Sequence, residues 1–424
     1  MKKILSISLG CVKNQIDLEY LLGDLINEGF SLTDDFSNCD YILLNTCSFI
    51  EDARKEAEAF IKEFRKTGKL IVTGCYPQKE KDYFRSKFKD IKWVIGTESQ
   101  RNSLQLIDAL KTNNSLFVMN DNSLKYRECG IRFTFNSFHT YIKISEGCSR
   151  RCSFCSIPDI RGFFRSRKKQ NIMNEIINLS QKGFKEFNLV SEDSSLYGRE
   201  IYKNYILNDL VKDISKTFIN SLFRLLYVFP DKTIYSTIDS IAESESFIKY
   251  IDIPFQHVSK RVLKNMGRVQ ENPVRVADYV KSKSLILRSS VMVGYPQETE
   301  KDFLELIDFI DKDYIDKLGI FMYSDEKGTP SCCMKNKVEE RVKIERFNEL
   351  IKVYRKRAKK KMLSNIDKIK KCVFTKRENG IFVGRMIEDA PSIDSILISD
   401  KKNIKLNELM NIKIIGVRNY TYIA

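Results

Sequence analysis

Three cysteines, Cys148, Cys152 and Cys155, stand at C-x3-C-x2-C spacing in the segment Lys143-Ile144-Ser145-Glu146-Gly147-Cys148-Ser149-Arg150-Arg151-Cys152-Ser153-Phe154-Cys155. So short a loop can aim three thiolates at three irons of one 4Fe–4S cluster. Electron-transfer clusters ordinarily take four thiolates, so three leave one iron open to an outside ligand. An open position is also what separates catalytic from structural metal sites. The competing use is a zinc knuckle, which wants a fourth protein ligand. His139 is the only histidine nearby, and it precedes the strand that leads into the loop.

A second group emerges only from the order of elements. Cys11, Cys47 and Cys75 each fall just past the end of one of the first three expected strands, in Leu9-Gly10-Cys11, Asn45-Thr46-Cys47 and Thr73-Gly74-Cys75. Strands of an open parallel sheet share one carboxyl edge, and ligands bind in the crevice there. Three thiols distant in sequence can therefore converge, with Gly10 and Gly74 permitting close backbone approach. Cys39, Cys129, Cys332, Cys333 and Cys372 show no such placement and read as plain thiols.

The elements that must position these cysteines alternate between strand and helix. Strands are expected at Ile4–Leu9, Tyr41–Asn45, Lys69–Thr73 and Trp93–Ile95, with helices over 15–27, 49–65, 80–88 and 104–110, which implies a parallel sheet. The alternation restarts at Tyr141–Ser145 and continues near Phe187–Val190, Arg224–Val228, Tyr250–Pro254, Ser289–Gly294 and Leu318–Tyr323. About six strand–helix units over ~190 residues predict a partial parallel barrel. Val338–Lys361 reads as one long basic helix. The tail from Cys372 turns to short alternating runs, as in a small β-barrel. The fold class is α/β: an open parallel sheet, a partial (β/α)6 barrel and a small β-barrel.

The chain has 424 residues, 11 cysteines, 2 histidines and a formal charge of +16. Many thiols beside few histidines favour cluster chemistry over a Cys/His zinc framework. No run of 18 apolar residues predicts a membrane helix, and the N-terminal apolar run is too short for a signal peptide. A cytoplasmic enzyme with reduced thiols is expected. The basic balance admits a nucleic-acid partner or solvated lysine-rich faces, and the run Arg355-Lys356-Arg357-Ala358-Lys359-Lys360-Lys361 admits the same two readings.

The C-x3-C-x2-C loop after a first barrel strand resembles the radical S-adenosylmethionine superfamily. Ser8-Leu9-Gly10-Cys11-Val12-Lys13-Asn14, with Asn45-Thr46-Cys47 and Thr73-Gly74-Cys75, resembles its methylthiotransferase family. Several segments look like the ribosomal-protein (RimO) type of that family more than the tRNA-adenosine type. They are Arg161-Gly162-Phe163-Phe164-Arg165-Ser166-Arg167, Arg224-Leu225-Leu226-Tyr227-Val228-Phe229-Pro230-Asp231, Asp252-Ile253-Pro254-Phe255-Gln256-His257, Arg288-Ser289-Ser290-Val291-Met292-Val293-Gly294-Tyr295-Pro296 and Tyr323-Ser324-Asp325-Glu326-Lys327-Gly328-Thr329-Pro330. Gly384-Arg385 and Glu388-Asp389-Ala390-Pro391-Ser392-Ile393-Asp394 resemble that type's TRAM domain.

The resemblance divides the chain into an N-terminal methylthiotransferase domain (1–117), a radical core barrel (134–364) and a TRAM domain (367–424). It implies radical β-methylthiolation of an aspartate of small-subunit ribosomal protein twelve, with two 4Fe–4S clusters and two S-adenosylmethionine molecules. Cys148, Cys152 and Cys155 would hold the catalytic cluster, and Cys11, Cys47 and Cys75 the auxiliary one. Phe154, Glu192 and Gly294 are the expected contacts to S-adenosylmethionine, while His257 reads better as a structural histidine than as a base. An electron donor such as flavodoxin or ferredoxin is implied, RNA contact is admitted without being required, and no membrane is involved. Glu388, Asp389 and Asp394 are expected to offer an acidic patch to a basic substrate. Val12, Ser48 and Glu192 stand where the family usually has proline, glycine and glutamine, and the last leaves open what that strand end contacts. The alternatives are methylthiolation of tRNA adenosine, or a non-catalytic iron–sulfur or zinc protein that binds nucleic acid.

Overall fold

The computed structural model describes residues 1–121, 126, 128, 130 and 132–424. Its first sheet comprises β1 (Lys3–Ser8), β2 (Ser31–Thr33), β3 (Tyr41–Thr46), β4 (Leu70–Gly74), β5 (Trp93–Ile95) and β6 (Leu116–Val118). They lie in the order β2-β1-β3-β4-β5-β6 with every pair parallel. Both faces are covered, which is why β3 reads Tyr-Ile-Leu-Leu-Asn-Thr and is buried throughout. Leu43 and Ile71 turn to Leu18, Leu21 and Leu22 of helix α1 (Val12–Asn27), while Ile42, Leu44 and Val72 turn to Ala57 and Ile61. The chain reverses direction across the sheet between β1 and β3, so a crevice opens at their carboxyl ends.

The second sheet holds β7 (His139–Lys143), β10 (Glu186–Val190), β11 (Leu222–Leu225), β12 (Phe247–Asp252), β13 (Ile286–Val293) and β14 (Lys317–Met322) as consecutive parallel neighbours. β7 and β14 do not pair, so this is the open, partial barrel that the alternation predicts. A two-stranded ribbon, β8 (Ser145–Glu146) and β9 (Arg165–Ser166), brackets the cysteine loop. Outward residues such as Phe187, Phe223 and Ile251 pack under the helices, and alternate residues point inward.

The third sheet comprises β15 (Ile369–Glu378), β16 (Ile381–Met386), β17 (Leu397–Ser399), β18 (Leu409–Lys413), β19 (Gly416–Arg418) and β20 (Thr421–Ile423), curled in the order β18-β15-β16-β17-β20-β19. The loop after β16 enters the lower mouth of the barrel. Arg224 donates to the carbonyls of Ile387 (2.5 Å) and Asp389 (3.1 Å), and Tyr141 donates to that of Pro391 (3.0 Å). Ala390 joins Ile16 and Tyr20 of α1 and Tyr141, Leu226 and Tyr250 of the barrel in one apolar cluster. This one cluster bridges three otherwise separate cores.

Two expectations need correction. Asp389 and Asp394 are no surface patch: Asp389 is fully buried against Lys317, and Asp394 accepts from the Tyr250 hydroxyl at 2.8 Å and faces Arg288. Half-buried cations of the barrel claim the carboxylates, and Glu388 bonds Lys370 at 2.9 Å. The third barrel strand also stops at Leu225 instead of Val228, because Tyr227 takes a left-handed backbone (φ 59°). The basic helix runs Glu340–Leu363, packs Leu350 inward and leaves Lys356, Lys359 and Lys360 in solvent. No described helix is long and apolar enough to cross a membrane. Of the thiols read as plain, Cys129 lies outside the described residues; Cys39 and Cys372 are buried and Cys333 is exposed.

Candidate active site

Cys47 follows β3 directly, Cys75 follows β4, and Cys11 precedes the first turn of α1 three residues after β1. The spacing between Cys47 and Cys75 depends on Gly74. A Cβ there would lie 2.5 Å from the Thr46 carbonyl oxygen, and its φ is 103°. Only glycine lets the two strand ends run so close. Burial pushes the Cys75 thiol up to about 12 against the pull of Arg161, with Cys11 and Cys47 adding to the rise. Burial raises Cys47 as well, again with Cys11 in its field. The three sulfurs therefore share one electrostatic neighbourhood.

Cys148, Cys152 and Cys155 form the second group. Gly147 precedes it at φ 73°, where a Cβ would strike the Phe163 carbonyl oxygen at 2.4 Å. The Cys148 amide donates to Gly162 (3.0 Å), the Ser153 amide to Met266 (2.9 Å) and the Cys155 amide to Cys152 (3.0 Å). Arg150 braces the loop by donating to Asp193 (2.8 Å), Asp231 (2.5 Å) and Ser195 (3.1 Å). The Arg268 guanidinium donates to Cys152 Sγ at 3.5 Å, and the Arg150 amide to Cys148 Sγ at 3.4 Å. Burial pushes Cys155 up to about 12 and raises Cys148 too, each with neighbouring cysteines adding to the shift.

Among the described residues no three Cys, His, Asp or Glu side chains close on a single-ion position. The donor chemistry suits a larger group: two sets of three thiols, with Cys75, Cys148 and Cys152 buried, Cys47 and Cys155 half-buried and Cys11 exposed, and in each set a guanidinium donating to one sulfur, Arg268 or Arg161. Hydrogen bonds of this kind offset the negative charge of thiolate-bound iron–sulfur clusters. A bound metal group would offset the burial that raises the Cys47, Cys75, Cys148 and Cys155 thiols. The residues present fit two clusters.

A buried ionic network joins the groups. Arg161 donates to Glu146 (2.7 Å), Asp17 (3.1 Å) and Asn14 Oδ1 (3.2 Å), and its Nη2 reaches Cys75 Sγ at 3.9 Å. Lys143 bonds Glu146 at 2.6 Å and also Asp17. Burial opposes the Glu146 charge, but Arg161 and Lys143 hold its carboxyl well below the usual range. On the far side of the opening, Glu326 after β14 takes Arg54 (2.5 Å) and Lys79 (2.8 Å), and both cations also donate to the Ser48 carbonyl. The first sheet thereby caps the barrel at both free edges.

The three residues expected to contact the cofactor sit in different local settings. Glu192 lies at the carboxyl end of β10, buried, with Arg161 Nε at 3.6 Å and no hydrogen bond to either oxygen. Burial and Glu146 push its carboxyl up, while Arg161, Lys13 and Lys143 pull it back. Phe154 belongs to a buried cluster with Cys152, Leu263, Met266 and Tyr295. Gly294 follows β13, gives its amide to Glu298 at 2.9 Å and makes room for Lys343. His257 is fully buried, its Nδ1 accepting from the Ser259 amide at 3.0 Å, and burial pulls it down to about 4. Sequence reasoning assigns no role to Lys13, Asp17, Arg161 or Arg268. For Lys13 and Asp17 the available signal is a charged or amide side chain at 13, 14 and 17, on a helix that opens beside a cysteine; Arg161 and Arg268 carry no comparable signal.

Residues 3–96 match an uncharacterized protein family, UPF0004, and residues 142–310 the Radical SAM superfamily. "Ribosomal protein uS12 methylthiotransferase RimO" of Acetivibrio thermocellus is 36% identical over 443 aligned residues, covering 100% of this chain and 98% of that one. The proteins so named from Thermoanaerobacter sp. (strain X514) and Clostridioides difficile (strain 630) are 36% and 33% identical, covering 95% and 99% of this chain and 95% and 98% of theirs. In fold the chain is similar to the radical S-adenosylmethionine methyltransferase TsrM from Kitasatospora setae, with a TM-score of 0.56 at 14% identity over 76% of this chain and 73% of that one. By full-length identity at this level the chain belongs to the RimO family of methylthiotransferases, radical enzymes that use S-adenosylmethionine and 4Fe–4S clusters.

Proposed function

We propose that this chain methylthiolates the β-carbon of an aspartate in small-subunit ribosomal protein uS12, drawing electrons from a flavodoxin- or ferredoxin-type donor. In this reading Cys148, Cys152 and Cys155 would hold the cluster that binds S-adenosylmethionine, and Cys11, Cys47 and Cys75 the auxiliary cluster. Residues 1–117, 134–364 and 367–424 are its three domains. The observation that carries it is Arg161, whose guanidinium reaches Cys75 of one group while its ion pairs tie α1 to the ribbon that leads into the other.

Bound S-adenosylmethionine and a reduced cluster together supply what no side chain can, removal of a hydrogen atom from unactivated carbon. The chain's own residues position and shield. Cys148, Cys152 and Cys155 would hold that cluster with three thiolates, short of the usual four, and so would admit an outside ligand. Arg150 ties that loop to the ends of β10 and β11 through Asp193 and Asp231, so its sulfurs keep a fixed bearing on the chamber. The paired charges of Asp17, Lys143, Glu146 and Arg161 close one side and Glu326 the other, keeping water from the reacting carbon.

The test is anaerobic reconstitution of the full chain, then turnover with a uS12-derived peptide carrying the target aspartate. Mass spectrometry should find a methylthio gain on that aspartate. Gain on tRNA adenosine instead, or 5′-deoxyadenosine with no peptide product under full reduction, would overturn the substrate assignment.

A further inference from the structure

Of the cations around the cysteine groups, one ammonium has neither an ion pair nor a hydrogen bond among the described residues. Lys143 and Arg161 are each paired with Asp17 and Glu146. Lys13 has only a ring: its Nζ lies 3.8 Å from the centroid of Tyr227. The ring is aimed by strained backbone, since Tyr227 holds φ 59°, a conformation costly for an aromatic residue. That strain is held in place by the Tyr227 carbonyl, which accepts from the Ser194 amide at 2.9 Å.

Lys13 is electrostatically coupled to both groups. It sits in the first turn of α1, two residues past Cys11, and its charge is felt at Cys11 and at Cys155. The start of α1 has no side-chain cap and no acidic residue in its first turn, so its free amides add positive potential at the same place. An unpaired ammonium over an aromatic face, beside an uncapped helix start, is built to receive an anion. Nearby Glu192 does not bond it.

On the reading of the reaction given above, the anion is at hand. Methylthiolation replaces a C–H bond on the aspartate β-carbon and leaves the carboxylate one bond away untouched, so that group can stay clamped throughout. We propose that Lys13, held over Tyr227, receives the side-chain carboxylate of the target aspartate and so sets its β-carbon between the two cysteine groups. Lys13 is then the residue that selects aspartate over its amide.

The experiment uses the reconstituted full chain and two labelled uS12-derived peptides that differ only in Asp or Asn at the target position. Equilibrium binding is read by fluorescence anisotropy, and KM and kcat by mass spectrometry of product. Wild-type protein should favour the Asp peptide by roughly thirtyfold or more, the range of a desolvated charge pair. Lys13→Met should bring the ratio near one through binding and KM, and Lys13→Arg should keep most of it. A wild-type ratio near one, or a Lys13→Met ratio equal to wild type, overturns the assignment. Binding does not depend on turnover, so absent methylthio product counts against the reaction and leaves the carboxylate contact to be judged by anisotropy. Should Lys13→Met fail to load iron, Tyr227→Leu decides: it should weaken only the Asp peptide, and unchanged binding overturns the proposal.

Discussion

Arg161 Nη2 and Cys75 Sγ lie 3.9 Å apart across 86 residues of sequence, one in the barrel and the other on the first sheet. That contact makes the placement of the Cys75 sulfur depend on the charge balance inside the barrel. Replacing Arg161 by methionine leaves Asp17 and Glu146 short of a partner in a buried setting, a loss of about 3–5 kcal/mol. The variant should melt well below wild type and, after reconstitution, bind less iron. Differential scanning calorimetry and iron assay check both.

The two cysteine groups should separate by product. Cys152→Ala should abolish 5′-deoxyadenosine formation. Cys47→Ala should abolish the methylthio product, and each should lose about half the iron, as removal of one cluster of two requires. Normal 5′-deoxyadenosine from anaerobically reconstituted Cys152→Ala would remove that loop from the chemistry.

His257 and Glu298 face each other at 3.7 Å and carry opposed pH dependences. Burial raises the Glu298 carboxyl from 4.5 to about 7 despite Arg346, so its contribution to stability is whole below pH 4.5 and lost as pH rises to about 7. Burial lowers His257 from 6.5 to about 4, so its contribution is whole above pH 6.5 and lost as pH falls to about 4. The slopes nearly cancel in the intact protein. Glu298→Gln should unmask the histidine, with stability rising by about 3 kcal/mol from pH 4 to 6.5. His257→Gln should give the reverse slope between pH 4.5 and 7. Urea denaturation across that range reads both.

Glu186 accepts from Arg224 at 2.7 Å and also pairs with Arg385, joining barrel to third sheet. Glu186→Gln should cost about 3–5 kcal/mol, since two buried guanidiniums lose their shared carboxylate. Limited proteolysis should then cut near residues 364–368, between the long helix and β15, where wild-type protein resists.

Local pattern makes part of the site legible in the sequence. Cys47 and Cys75 stand out because an apolar run ending in Asn-Thr or Thr-Gly announces a strand end, and the parallel order brings such ends together. The ion network is not legible, since nothing in the spacing of Asp17, Glu146 and Arg161 says that they meet. The run Leu225-Leu226-Tyr227-Val228 reads as strand, yet the chain turns left-handed at Tyr227 to present its ring. Acidic residues near a terminus suggest a surface, but cations inside the barrel draw Asp389 and Asp394 in.

Gly74 acts as the spacer that sets a bond-length tolerance. A single methyl group at this position would wedge against Thr46 from below, at 2.5 Å from its oxygen and 2.9 Å from its nitrogen. The next residue along each strand is a cysteine, so any widening of the backbones passes undiminished to the gap between two sulfurs. An inorganic core of fixed dimensions cannot follow that movement. An alanine here should therefore strain the sheet at this strand end and part the two sulfurs together, lowering both stability and iron loading at the proposed auxiliary site.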